Sequence, residues 1–355
     1  MKTCSSASTY SRSLLVGFEQ ILERRSFVPP VWLRGPHLQT LGASLAKRKY
    51  SWGWTDSQQQ FLNLSDGSRI MVVCIWQCSS APTMVAVHGM GGSSQSTYMQ
   101  GLSHKAHREG WNAILLNLYN QNRDLCRPKI FHAGASSEVG EIIQKLIDQY
   151  NLVKVFLVGA SMGGNILLKF LGERGSQLPQ EIRSAAVISP LVDLVTSARI
   201  LENPSNFLFQ RHFVKNFKKR TREQSAELDN FVDLKKLMNI RTVREYDQLV
   251  TVPLSGFCDV SEYYKTVSAQ SYLKDVRVPT LLLHSKDDPL IPWKPFVLPE
   301  VSSNQSLIIK LTSTGGHLGF IERGKKRDVD RRWAENRVID FFRFSKDLIS
   351  EVVDS

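Results

Sequence analysis

The sequence predicts an α/β protein with a mostly parallel central sheet, helices on both faces, and a helical insertion before the last strands. Three observations carry this prediction. Short, nearly all-apolar runs such as "TMVAVHG" (83–89), "WNAILLNL" (111–118) and "VKVFLVG" (153–159) alternate with longer stretches of helical spacing. The alternation stops after Pro190 and resumes at about Pro279. The chain has 355 residues, 42% of them hydrophobic, enough for one large core with an insertion.

The elements follow in order. Residues 1–60 read as an N-terminal arm packed on the core, with "VWLRGPHLQT" (31–40) in a turn-like context. The first part of the core spans 61–190. It opens with a hairpin, "FLNLSDGSRIMVVCIW" (61–76), turning at Asp66-Gly67. A helix over 96–110 closes at Gly110. Val139, Ile142, Ile143, Leu146 and Ile147 mark a helix over about 134–149. "MGGNILLKFLGERG" (162–175) is a helix and "IRSAAVISP" (182–190) a strand. Residues 191–275, rich in charges and aromatics, form a helical cap insertion. The core resumes over 276–355 with strands in "PTLLLHSKDD" (279–288) and "QSLIIKLTSTGG" (305–316) and a closing amphipathic helix over 329–349.

Composition narrows the function classes. The net charge is +12, with a basic peak at Lys215, Lys218, Lys219, Arg220 and Arg222. This run reads as a solvated helix face; the alternative reading is attraction to anionic surfaces or lipids, with transient membrane-surface contact. No recognition pattern for nucleic acid accompanies it. Five cysteines, at 4, 74, 78, 126 and 258, have no metal-binding spacing and read as free thiols of a reducing, cytoplasmic compartment. No stretch reaches roughly 18 consecutive apolar residues. The start "MKTCSSASTYSRSLL" reads as a frayed cytosolic terminus, although its Ser-rich, basic composition is also that of an organelle-targeting segment.

The chemistry centres on "FLVGASMGGN" (156–165). Its "GASMG" is a G-x-S-x-G elbow with a strand before and a helix after, so Ser161 sits on a sharp turn where side chains at Gly159 and Gly163 would crowd. A serine hydroxyl needs a base, and the base an orienting acid. In the expected chain order, "KDDPLIP" supplies the acid and "TSTGGHLGF" supplies His317. Asp287 and Asp288 compete for the acid role. Asp288 is favoured because it lies directly before Pro289 and four residues before Pro292, and Asp287 then braces the loop. The glycines of "VHGMGGSS" (87–94) let backbone N–H groups turn inward, making the amides of Met90 and Met162 the candidate oxyanion hole. Among the other histidines, His132 is a brace at the site's rim, His284 a buried and hydrogen-bonded residue, and His104, His107 and His212 surface or packing residues. No metal spacing, phosphate loop or dinucleotide fingerprint is present, so the sequence predicts neither metal nor cofactor.

With these motifs, the chain resembles the AB-hydrolase-4 family of α/β-hydrolases, which includes the plant embryogenesis-associated proteins and bacterial YheT-type hydrolases. The likeness runs over roughly 30–345, through "RGPHLQT", "VHGMGGSS", "FHAGASSEV", "GASMGGN", the block "REYDQLVTVPLSGFCDVSEYYKTVSA", "KDDPLIP" and "GGHLGF". The resemblance implies an α/β-hydrolase fold and a Ser161–Asp288–His317 triad. It also implies short-chain esterase, acylglycerol lipase or phospholipase-type activity. The chain departs from the pattern at "NLYNQNRDLCRP", where Arg123 is displaced and a glycine is missing. The expected substrate is a small-molecule or lipid ester. Phe207, Leu208, Phe209, Phe213, Phe217, Phe257, Tyr263 and Tyr264 are the candidate lining of an acyl slot. Acyl transfer by the same triad and a non-catalytic binding module are the rival readings.

Overall fold

Alternation along the strands sorts their side chains onto two faces, and each face has its own helices. The computed structural model describes residues 16–46, 48, 57–119, 129–224, 228, 231–324 and 328–353. Eight strands form one sheet: β1 (Gln58–Asn63), β2 (Arg69–Ile75), β3 (Thr83–Val87), β4 (Asn112–Asn117), β5 (Val155–Ala160), β6 (Ile182–Ile188), β7 (Thr280–Ser285) and β8 (Leu307–Thr312). Their spatial order is β1-β2-β4-β3-β5-β6-β7-β8. The first hairpin and the β2–β4 pair are antiparallel, and every later pair is parallel.

Val85, Val87, Ile114, Leu116, Leu157 and Val187 point to one face. There they meet α3 (Ser136–Tyr150) and α4 (Met162–Arg174). Their neighbours Met84, Ala86, Leu115, Phe156, Val158 and Ile188 point to the other. That face is covered by α2 (Thr97–Arg108) and by the closing helix Trp333–Val353. The period of two, applied to strands buried on both sides, thus builds two apolar layers from one set of runs.

Topology fixes where a site can lie. The chain leaves β3 for β4 on one side and later enters β5 on the other. The loops after β3 and β5 therefore diverge and leave a crevice at the carboxyl ends of these strands. Between β6 and β7 the regular structure described is helical: α5 (Leu194–Leu201), α6 (Phe207–Glu223), α7 (Leu234–Asn239), a π-helical turn at Asp247–Thr251 and α8 (Val260–Val267). Leu201, Val214 and Val243 of this insertion pack with Leu290 and Ile291, which follow β7. Before the sheet, α1 (Pro36–Leu45) lies against the loop after β8: the Gln39 side chain donates to Ile321 O (3.0 Å) and accepts from Ile321 N (2.8 Å). No described helix is long and apolar enough to cross a membrane.

A buried ion cluster ties the closing helix to α2. Glu335 is paired with Arg48 and with Lys105 (2.7 Å), and Lys105 also reaches Asp330 at 2.8 Å. Burial alone would raise the Glu335 carboxyl, but Arg48 and Lys105 outweigh it and bring it from 4.5 to about 2. Such a group stabilises the fold above its unfolded value of 4.5, and the contribution disappears as pH falls toward 2. Glu335→Gln is therefore expected to cost about 3–5 kcal/mol at neutral pH, because it removes the carboxylate that the buried Lys105 shares with the half-buried Arg48. Denaturant unfolding of both proteins checks this: the gap between them should be full at pH 7 and shrink steadily below about pH 4.5.

Candidate active site

The elbow after β5 is shaped by what its glycines touch. Ser161 has φ 52° and ψ −119°, a strained conformation between strand and helix. Its amide donates to Ile188 O (3.0 Å), and its carbonyl accepts from Asn165 N and Leu191 N (both 3.1 Å). A Cβ on Gly159 would come within 2.6 Å of Gly163 O, and one on Gly163 would strike the backbone of Val87 and His88. The two glycines let β5, α4 and β3 approach closely enough to hold the strained serine.

Ser161 Oγ lies 3.0 Å from His317 Nε2. His317 Nδ1 lies 2.8 Å from Asp288 Oδ2. The other Asp288 oxygen accepts from the amides of Leu290 (2.9 Å) and Ile291 (3.0 Å). Burial would raise this carboxyl, but the neighbouring His317 and His284 and the hydrogen bonds hold it below the usual carboxylate range. Asp287 points elsewhere. Its Oδ1 accepts from Gly316 N at 2.9 Å, bracing the loop that carries His317, and burial raises its pKa.

The same loop is held from the other side by α1. His317 N donates to Thr40 Oγ1 (2.9 Å), whose hydroxyl donates to Pro36 O (2.7 Å). A side chain on Gly319 would strike Gln39 and the backbone of Gly315. The residues "HLQT" thus seat the imidazole, a role their spacing alone does not disclose.

Other groups shape the loop after β3. His88 is buried, donates from Nδ1 to Gly89 O (2.8 Å) and accepts at Nε2 from Leu118 N (3.0 Å). Burial lowers its pKa to about 4, so it is neutral and fixed in one tautomer. Gly89 N donates to Tyr98 Oη (2.8 Å). Arg220 reaches down from α6 to donate to Gly91 O (2.8 Å). Sequence reading missed His88 and Tyr98, and it placed Arg220 on a solvated face rather than on the glycine loop. A histidine ending an all-apolar strand was the available signal for the first; Tyr98 lies nine residues from its partner Gly89 with no pattern that pairs them, and the Arg220 contact joins distant parts of the chain.

Ser161 and His317 open onto a cavity of about 190 Å³. Its walls include Leu194, Leu201, Phe213, Phe217, Val250 and Tyr263, so most of its surface is apolar. Tyr264 and Asp247 also line it; Tyr264 Oη donates to Asp247 (2.7 Å), and burial raises the Asp247 carboxyl to about 6. His132 stands in the same wall, edge-on to Tyr263, and burial lowers its pKa to about 4.

Several expectations need correction. Phe207 and Leu208 are exposed and lie away from the cavity, and Phe209 stacks on His37 with ring centroids 5.8 Å apart. Phe257 packs against Tyr263, behind the lining. The basic run is only partly a solvated face, because Lys218 donates to the carbonyls of Met238 (2.8 Å) and Ile240 (2.7 Å) and Arg220 holds the glycine loop. His284 is fully buried as expected, but neither ring nitrogen has a hydrogen-bond partner among the described residues. The "NLYNQNRDLCRP" departure falls mostly on 120–128, outside the described residues. No group of three or more metal-ligating side chains occurs among the described residues.

A hydroxyl, an imidazole and a carboxylate in series, at the mouth of an apolar cavity on this sheet, are the constellation of a serine ester hydrolase that works through an acyl-enzyme. The chain belongs to the alpha/beta hydrolase fold family, whose model matches residues 82–323. It is 29% identical over 325 residues to the YheT protein of Escherichia coli strain K12, across 89% of this chain and 92% of that one. It is 25% identical over 307 residues to the human phospholipase ABHD3, covering 84% and 74% of the two chains. Among solved structures it resembles the Pyrococcus furiosus esterase Pf2001, with TM-score 0.53 and 15% identity over 84% of this chain and 98% of that one, a likeness of fold.

Proposed function

We propose that this protein hydrolyses carboxylic esters with an apolar acyl chain, with Ser161 as nucleophile, His317 as general base and acid, and Asp288 as the orienting carboxylate. The observation that carries the reading is the unbroken Ser161–His317–Asp288 hydrogen-bond series opening on an apolar cavity. The Ser161 proton passes to His317 Nε2 as Oγ attacks the ester carbonyl. Asp288 accepts from Nδ1–H and stabilises the imidazolium that forms. His317 then protonates the departing alcohol, and water activated by the same nitrogen releases the acid.

The backbone amides of Met90 and Met162 are assigned to the oxyanion. Two features support the pair. Met162 opens α4 directly after the serine, where helix amides lack an acceptor one turn back. Met90 follows Gly89, whose own N–H is committed to Tyr98, and both methionines border the cavity.

The reading also takes 1–60 as an arm, 61–190 and 276–355 as the hydrolase core, and 191–275 as a cap over the site. Phe213 and Phe217 on α6, which border the cavity, support the cap's role. Within the superfamily, the likeness to YheT and ABHD3 supports placement in the AB-hydrolase-4 branch, and the second of these supports lipid esters as substrates.

Chain-length preference tests the substrate reading. Hydrolysis of butanoyl, octanoyl and palmitoyl esters by wild type, Phe213→Ala and Phe217→Ala is expected to show altered ratios of kcat/KM between chain lengths. Methylene contacts are worth about 1–3 kcal/mol, so shifts of roughly 10- to 200-fold are the ceiling for one carbon. Phe257→Ala, which lies behind the lining, should keep the wild-type ratios. An unchanged profile in both α6 variants would remove the acyl slot from this cavity.

A further inference from the structure

We propose that the face formed by α1 and the outer side of α6 docks on an anionic lipid surface. This goes beyond the ester-hydrolase reading and does not depend on it. Helix α1 is amphipathic in an inverted sense. Gln39, Thr40 and Ala43 are its buried side, whereas Leu38, Leu41 and Leu45, at i, i+3 and i+7, are exposed. The turn before it adds Val31 and Trp32, also exposed. The values are large: 68% for Trp32 and 76% for Leu45.

This stripe continues onto the insertion. His37 Nε2 lies 3.3 Å from Asn206 Oδ1, and the His37 ring stacks on Phe209. These contacts set α1 beside the start of α6, where Phe207 and Leu208 are 58% and 69% exposed. Large apolar side chains thus cluster on two neighbouring elements, and soluble proteins rarely show such patches without a partner.

Charge decides the occupant. Arg34 is exposed within the patch, and Arg211, Lys215, Lys219 and Arg222 are exposed along α6 beyond it. Acids on this side are few and engaged: Glu202 pairs with Arg244 at 2.9 Å and Glu223 with Lys219 at 3.8 Å. Apolar side chains including a tryptophan, followed by a row of cations, fit lipid tails under anionic headgroups. A second copy would instead bring like-charged rows together. The inner side of α6 carries Phe213 and Phe217 into the cavity, so the docked surface lies one helix away from it.

The test is flotation of the full chain with phosphatidylcholine vesicles, with and without phosphatidylglycerol, at low and high salt. Binding is read directly, so a wrong assignment of the reaction leaves this result standing. Wild type should float with the anionic vesicles, less so at high salt. Trp32→Ser/Leu208→Ser should weaken binding on the order of 10²-fold, since each loses a buried apolar group. Arg211→Gln/Lys215→Gln should weaken it by about 25-fold, roughly five-fold for each cation, on anionic vesicles only. An unchanged thermal melting curve and circular dichroism spectrum certify the fold of each variant, and Leu45→Ser replaces the apolar pair if that pair fails this check. Absence of flotation with anionic vesicles would overturn the proposal. So would variants that float like wild type, or a concentration-dependent dimer that the apolar variant breaks in place of vesicle binding.

Discussion

Ser161→Ala is expected to lower kcat on a soluble ester by about 10⁶, with the fold intact. The size follows from the series arrangement: without Oγ, neither His317 nor Asp288 has a nucleophile to serve, and losing the nucleophile costs about as much as losing the whole set. Residual rate, roughly 10³–10⁴ above water, would come from oxyanion donors and binding. The elbow should persist because backbone bonds hold it, from Ser161 N to Ile188 O (3.0 Å) and from Leu191 N to Ser161 O (3.1 Å). Alanine tolerates a φ of 52° no worse than serine does. Turnover and thermal melting of the purified variant check both halves of the statement. A variant that kept more than about a hundredth of wild-type turnover would assign the nucleophile elsewhere.

The second large effect separates two adjacent carboxylates. Asp288→Asn should lower kcat by about 10⁴, the size that loss of the orienting carboxylate has in serine proteases. The structure gives the reason. Oδ1 of Asp288 accepts from Leu290 N and Ile291 N, so the amide oxygen of an asparagine must take that position. Its NH₂ group then faces His317 Nδ1 and imposes the tautomer with the proton on Nε2, which cannot accept from Ser161. Asp287→Asn keeps an oxygen for Gly316 N, so its cost should stay below about 10-fold, on the scale of one hydrogen bond. Measured kcat values for the two variants decide the assignment, and the reverse order would make Asp287 the orienting acid.

The elbow was legible because its residue types are forced. Gly159 and Gly163 have backbone atoms where a Cβ would sit, and the flanking runs are buried on both faces of the sheet, so local sequence and global fold agree. The phase of α6 was not legible. Phe207, Leu208, Phe209, Phe213 and Phe217 offer more than one apolar face, and packing against Leu290 and Ile291 selects Phe209, Phe213 and Phe217 while turning Phe207 and Leu208 outward. Helix α1 misleads in the opposite direction, since its leucines are exposed and its buried side is Gln39 and Thr40, which bond the His317 loop. Contacts such as Thr40 with His317 or Arg220 with Gly91 join distant parts of the chain, and no local pattern encodes them.

The central claim is that Ser161 is an activated nucleophile, and covalent labelling reaches it most directly. A fluorophosphonate phosphorylates a serine only where a base takes its proton and donors receive the developing charge. Peptide mapping of the treated, folded protein should place a single adduct on the peptide carrying Ser161. Labelling should be abolished in Ser161→Ala and strongly slowed in Asp288→Asn. Folded wild type that takes no label, or takes it at another residue with Ser161 unmodified, would contradict the account.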